Sequence, residues 1–257
     1  MTVPSPEAAV VARLRAAGCV FAEDEARLLT ATARAPGELA TLVDQRVAGL
    51  PLEHLLGWAE FCGLRIAVDP GVFVPRRRTE LLVREAVALA PPSAVVVDLC
   101  CGSGAVGAAL AAVLGLAELH AADVDPGAVA CARRNLPGAQ VHAGDLFEAL
   151  PEALRGRVDV LAANVPYVPS DAIALMPPEA RVHEPRTALD GGADGLAVAR
   201  RVIDGAPSWL AAGGSLLFET GEGQVAGALA AVAAAGLVPR LATDDDLGAT
   251  VIVGTRR

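Results

Sequence analysis

The sequence predicts an α/β fold, a mainly parallel sheet covered by helices behind a small all-helical segment, and three observations carry that reading. Short apolar runs at residues 94–99, 117–122, 139–143 and 158–163 alternate with helix-like stretches, the pattern of successive βαβ units. The first run leads into a glycine loop, Gly102-Ser103-Gly104 with Gly107 beyond it, which opens the alanine-rich stretch 105–114. Residues 4–50, in contrast, place apolar side chains at helical spacing only.

At 257 residues the chain has room for one large core and a smaller accessory domain. Apolar residues make up 53% and aromatic residues 3%, so Ala, Val and Leu must build that core. No apolar run approaches the ~18 residues of a membrane span. Residues 1–6 lack a secretory pattern, and the five cysteines (Cys19, Cys62, Cys100, Cys101, Cys131) have no Cys-x-x-Cys spacing. A soluble protein of the reducing cytoplasm is expected. All 21 basic residues are Arg, which excludes lysine Schiff-base chemistry and a Walker-type phosphate loop. The net charge of −9 is uneven: residues 1–90 carry ten Arg against eleven acids, and residues 91–257 carry eleven Arg against nineteen. An acidic second half disfavours direct nucleic acid binding, which rests on neutralising phosphates.

In chain order, Pro4 and Pro6 precede a first helix with Ala8, Val11 and Leu14 on one face and Gly18 at its stop. A second helix is expected over 23–33. Pro36 and Gly49 frame a third, in which Leu39, Leu42, Val43 and Val47 recur at helical spacing. A β-hairpin is expected from Ile66-Ala67-Val68 and Val72-Phe73-Val74, joined by the turn Asp69-Pro70-Gly71. Arg76-Arg77-Arg78 reads as a solvated face, before a helix over 81–89 that Pro91-Pro92 ends. Strand 94–99, helix 105–114, strand 117–122 closing on Asp123, helix 128–135, strand 139–143, Asp145 and strand 158–163 follow. An irregular loop spans 168–196. Helix 197–211, strand 215–219, helix 224–235 and strands 237–242 and 249–255 complete the chain. The expected units are a helical substrate-docking domain at 1–57, a β-hairpin linker at 58–76 and a catalytic domain at 77–257. His54, His120 and His142 lack metal-ligand spacing and read as structural.

Ligands of open parallel sheets bind at the carboxyl ends of the strands, and there the candidate residues lie. Asn164-Val165-Pro166-Tyr167 follows the run 158–163 and holds the only tyrosine of the chain. An Asn amide beside a backbone carbonyl offers two hydrogen-bond acceptors aimed at one place, although the same tetrapeptide also has an ordinary reading as a turn. The glycine loop satisfies G-x-G-x-x-G, with Asp123 about twenty residues on. A dinucleotide or S-adenosylmethionine meets that pattern, and charge separates them. A pyrophosphate prefers a helix N-terminus free of acids. S-adenosylmethionine brings an ammonium and a sulfonium, so Asp98, four residues before Gly102, favours it. Asp145 stands at the end of the following strand, in reach of an adenine amino group. Three acids at three successive strand ends select the cationic cofactor, and no metal is expected.

These residues resemble the HemK-type protein glutamine methyltransferases, which methylate the side-chain amide of a glutamine in peptide chain release factors. The resemblance runs from about Pro51 to the C-terminus. Its pieces are Pro51-Leu52-Glu53-His54, Gly57, Glu60-Phe61, Val74-Pro75-Arg76, Thr79-Glu80, the loop from Asp98 to Gly104, Asp123, Asp145-Leu146-Phe147 and Asn164-Val165-Pro166-Tyr167. Glu184-Pro185, Ala188-Leu189 and Asp194-Gly195-Leu196 complete the series. It implies a helical domain joined through a hairpin to a seven-stranded class I S-adenosylmethionine-dependent methyltransferase domain. It further implies that Asp98 with Cys100, Cys101, Gly102, Ser103 and Gly104 holds the methionine part, Asp123 the ribose, and Asp145 with Leu146 the adenine. Asn164 would stand between cofactor and acceptor. Its side-chain oxygen and the Val165 carbonyl would accept the two N–H groups of the target amide, with Pro166 shaping the turn and Tyr167 packing against the site. The implied partner is a protein, a peptide chain release factor, with no membrane involved.

Three departures mark a divergent branch: Val165 replaces the family's first proline, Cys100 replaces its first loop glycine, and Arg77-Arg78 replaces a Pro-Glu pair. Two alternatives therefore stay open at this point, an amino-group methyltransferase acting on a small metabolite or nucleobase, and a cofactor-binding scaffold that has lost catalysis.

Overall fold

The computed structural model describes residues 6–115 and 118–257. Pro4, before the expected first helix, and Ala117, the first residue of the expected second strand, lie outside the described residues. Three helices open the chain, α1 (Pro6–Ala16), α2 (Ala22–Thr32) and α3 (Pro36–Val47), followed by the single turn α4 (Leu52–Leu56). Their apolar faces meet in a core of Val10, Leu14, Ala22, Ala26, Leu29 and Val43. The buried Arg46 locks this bundle, with its Nε 2.6 Å from Glu25 Oε2 and its Nη1 reaching Glu179, 133 residues further on.

The hairpin lies one element earlier than expected. β1 (Trp58–Phe61) pairs antiparallel with β2 (Leu64–Ala67), with Phe61 opposite Leu64. Cys62 and Gly63 form the turn at φ 49° and 73°, and two positive φ values in a two-residue loop match the right-handed twist of the strands. Residues 72–74 form no strand; Val72 and Val74 are buried in a small cluster with Ala59, Val68, Ala128 and Cys131. His54 Nε2 lies 2.9 Å from the Val72 carbonyl, the structural role expected of it.

The remaining chain runs α5 (Glu80–Leu89), β3 (Val95–Leu99), α6 (Ala105–Leu114), β4 (Glu118–Asp123), α7 (Pro126–Asn135), β5 (Gln140–Ala143), β6 (Val158–Ala163), α8 (Pro178–His183), α9 (Ala197–Trp209), β7 (Leu210–Glu219), α10 (Val225–Ala234), β8 (Val238–Asp244) and β9 (Ala249–Thr255). The stretch expected to be irregular therefore contains α8 and two short 3-10 turns, and β7 starts five residues before its expected position. Seven strands form one sheet in the order β5-β4-β3-β6-β7-β9-β8, parallel through β7 and antiparallel beyond it. Helices cover both faces. One core holds Leu82, Val96, Leu110 and Val160, and the other holds Val97, Leu161, Ile203 and Phe218, so strands buried on both sides read as continuous apolar runs. Among the described residues no helix is long and apolar enough to cross a membrane.

The strand order reverses between β3 and β6. Leu99 lies beside Ala163 on one side and Ala122 on the other, and Asp123 lies beside Ala143. The ends of four strands thus finish level at the switch point, where a crevice opens. Gly104, at φ +79°, turns the chain from β3 into α6, and a Cβ there would lie 2.9 Å from Leu136 Cδ1 and 3.2 Å from Ala132 Cβ. Gly104→Ala is expected to lose about 2 kcal/mol through left-handed strain and overpacking. Urea unfolding reads this as a lower midpoint at unchanged slope; an unchanged midpoint would contradict it.

Candidate active site

A cavity of about 540 Å³ lies over the switch point, inside the range of roughly 300–1,000 Å³ typical of small-molecule sites. Its floor is the loop after β3. Asp98 is 1% exposed, and its Oδ2 accepts the Gly107 amide at 2.8 Å while its Oδ1 has no partner among the described residues. Burial pushes its carboxyl up to about 7. A buried carboxylate oxygen left open to a cavity is costly unless a ligand donor or cation meets it.

Asp123, at the end of β4, accepts the Gly102 amide at 2.8 Å and the Asp125 amide at 2.9 Å, so it orders the glycine loop as well as lining the cavity. Asp145 lines the same wall, but one of its oxygens is held by Arg201 of α9 at 2.7 Å. Cys100, Cys101, Gly102 and Ser103 line the floor, whereas Gly104 packs behind it against Leu136. Cys100 and Leu146 hold φ of 54° and 51°, a left-handed conformation that costs a residue with a Cβ on the order of 1–3 kcal/mol. Burial and the nearby acids raise both the Cys100 and Cys101 thiols far above the ordinary range, so they stay protonated and act as small apolar groups.

Asn164-Val165-Pro166-Tyr167 lines the same cavity. Since Leu99 pairs with Ala163, Asn164 emerges beside Cys100. The Asn164 side chain and the Val165 carbonyl have no hydrogen-bond partner among the described residues, while Val165 as a whole residue is 1% exposed and its side chain packs into the core. Tyr167 is held twice: its carbonyl accepts Gln224 Nε2 at 2.8 Å, and its hydroxyl donates to Glu219 Oε1 at 2.8 Å.

The arginine run is in part the solvated face its composition suggests, since Arg77 and Arg78 are exposed and Arg76 is half-buried, yet it also reaches the site. Arg76 and Arg78 both line the cavity. Arg76 donates to the fully buried Glu184, whose Oε1 also accepts the Val74 amide at 3.3 Å, and Arg78 Nε lies 3.0 Å from Glu219 Oε1. These carboxylates come from 108 and 141 residues along the chain, so no local pattern could reveal the pairing. Sequence reasoning also missed Phe73, Thr79, Met176, Arg186 and Arg201 in the lining. His120 and His142, by contrast, stack away from the cavity, with Nδ1 of one 3.0 Å from Nε2 of the other.

The two walls differ in charge. Around the glycine loop Asp98, Asp123 and Asp125 have no salt-bridge partner among the described residues, whereas the buried Glu184 and Glu219 near Tyr167 are each paired with an arginine. One side attracts a cation, and the other presents polar acceptors without net charge.

Comparison with known proteins agrees with this layout. The family model described as "Methyltransferase small domain" matches residues 63–220. A release factor glutamine methyltransferase of Geobacter sulfurreducens is 40% identical over 228 residues, 86% of this chain and 79% of that protein. One from Cereibacter sphaeroides is 36% identical over 253 residues, 89% of each chain. A methyltransferase structure from Pyrococcus furiosus shares the fold at a TM-score of 0.56 and 16% identity, covering 76% of this chain and 89% of that one. With a class I methyltransferase sheet and relatives of this similarity over most of its length, the chain belongs to the release factor glutamine methyltransferase family.

Proposed function

We propose that this protein transfers a methyl group from S-adenosylmethionine to the side-chain amide nitrogen of a glutamine in a peptide chain release factor. The observation that carries the reading is the pair of unpartnered acceptors, the Asn164 amide oxygen and the Val165 carbonyl, in the cavity that an acidic glycine loop also lines. The family relatives support the same acceptor.

The residues present fit the cofactor. The open oxygen of Asp98 suits an ammonium, Asp123 suits ribose hydroxyls, and the Asp145–Leu146 wall suits adenine, with Arg201 taking one Asp145 oxygen and leaving the other. Bound there, the cofactor supplies an electrophilic methyl group on a sulfonium. The difficulty lies with the acceptor, because an amide nitrogen shares its lone pair with its own carbonyl. On this reading the Asn164 oxygen and the Val165 carbonyl accept both N–H groups, which aims that nitrogen and leaves its face open for in-line attack. Catalysis on this account is orientation plus fixed dipoles. As the new N–C bond would form and the methyl–sulfur bond break, leaving a neutral thioether, the nitrogen would gain positive charge, and the same two oxygens would stabilise it until its proton passes to solvent. Pro166 biases Val165 toward extended geometry, so the carbonyl direction survives loss of the family proline. The five free cysteines suit reaction in a reducing cytoplasm.

Labelled cofactor offered with a release factor, with tRNA or DNA, and with a metabolite extract separates the readings: label in the release factor alone is expected, and label in another class would replace the acceptor. Asn164→Ala is expected to lower turnover on the order of 10²-fold, the scale of one positioned polar group, at unchanged cofactor affinity; an equal loss of cofactor binding would move Asn164 out of the acceptor role. A bound cation lowers the carboxyl pKa of Asp98, so below neutrality binding must expel its proton. Calorimetry should therefore show cofactor affinity rising from about pH 6 to about pH 7.5 and falling again above about pH 8, where the α-ammonium that meets Asp98 loses its own proton. Asp98→Asn should bind more weakly and lose that rise, while a pH-independent wild type would contradict the assignment.

A further inference from the structure

Glu219, the last residue of β7, is 2% exposed and stands behind the cavity wall rather than in it. Three donor groups converge on its carboxylate, two hydroxyls through hydrogen bonds and one guanidinium as an ion pair. Thr79 Oγ1 lies 2.7 Å from Oε2, the Tyr167 hydroxyl 2.8 Å from Oε1, and Arg78 Nε 3.0 Å from Oε1. The Arg78 guanidinium also lies over the Tyr167 ring, 5.7 Å from its centroid. All three donors line the cavity, so one buried anion touches three wall residues from behind.

A buried carboxylate is a poor way to strengthen a core, because desolvation offsets most of what the ion pair returns and an apolar residue would pack as well. Its use lies in fixing geometry, since each bond to it removes a rotamer from a partner. Gln224, five residues on, holds the Tyr167 carbonyl. The end of β7 thus grips Tyr167 at both its backbone and its side chain.

We infer that Glu219 is a positioning residue of the acceptor side, acting through the Tyr167 hydroxyl and Arg78 to hold the wall beside Asn164 in its working shape. The inference rests on reading that wall as the acceptor site. Burial first, and the Glu219 charge next, raise the Tyr167 phenol above its ordinary range, which keeps the hydroxyl a donor.

Tyr167 is the only tyrosine in the chain, so the tyrosine doublet in the Raman spectrum reports on this one hydroxyl. Glu219→Gln should shift that doublet toward a weaker donor, a change that needs no acceptor to be seen. Turnover and KM are then compared for wild type, Glu219→Gln, Tyr167→Phe and the double variant, with cofactor affinity measured by calorimetry. Each single variant is expected to lose roughly 10- to 100-fold in kcat, the scale of a displacement of about 1 Å. The double variant should fall no further, and cofactor affinity should hold. Additive losses, an unmoved doublet, or loss of cofactor binding would overturn the inference. If Glu219→Gln fails to fold, Arg78→Met with Tyr167→Phe gives the same cycle. Wild-type label in an acceptor other than glutamine would sink the proposed function alone, since the cycle can be run on whichever acceptor takes the methyl group.

Discussion

The parallel register between β3 and β6 is the constraint on which the rest depends. Pairing Leu99 with Ala163 makes two strands end level at the one place where strand order reverses. A slip of one residue would turn every side chain on β6 to the other face of the sheet, exchanging Val160 and Leu161 between the two cores and carrying Asn164 away from the glycine loop. Because both faces of these strands are buried, that slip is strongly opposed. The precision of the site is thus inherited from packing on both sides of the sheet.

Charge is distributed on the same scaffold with a division of labour. Acids without salt bridges gather where a cation is expected, at the ends of β3 and β4. On the proposed acceptor side the acids are buried and paired, Glu184 with Arg76 and Glu219 with Arg78, and so add rigidity without drawing a cation away from the proposed cofactor position. The left-handed Cys100 and Leu146 both line the cavity. Strained non-glycine residues at a cavity lining are what a site held by its surroundings, rather than by local preference, shows.

The sheet was readable in the sequence because buried strands announce themselves as apolar runs and a parallel topology places their ends together. Asp98, Asp123, Asp145 and the Asn164 tetrapeptide were found for that reason, and all of them line one cavity. The hairpin was misplaced because Asp69-Pro70-Gly71 is the louder turn signal, while Cys62-Gly63 forms its tight turn with a cysteine that composition does not mark as a turn former. The arginine run, exposed at Arg77 and Arg78 as its composition suggests, hid its ion pairs for a different reason. Its meaning lies in Glu184 and Glu219, distant carboxylates that only the fold brings near. Glu219 itself is invisible to sequence reasoning, since an acid at the end of a strand carries no mark of its burial. Gly104 illustrates a milder limit: it was assigned to the cofactor loop, yet it shapes that loop from behind.

The central claim is that the wall formed by Asn164 and Val165 holds a side-chain amide, so the atom that receives the methyl group is its most direct test. Tandem mass spectrometry of a release factor after reaction with isotopically labelled S-adenosylmethionine locates that atom. The account predicts a single added methyl on the side-chain nitrogen of one glutamine. A methyl group on a lysine, a carboxylate or the peptide backbone would contradict it.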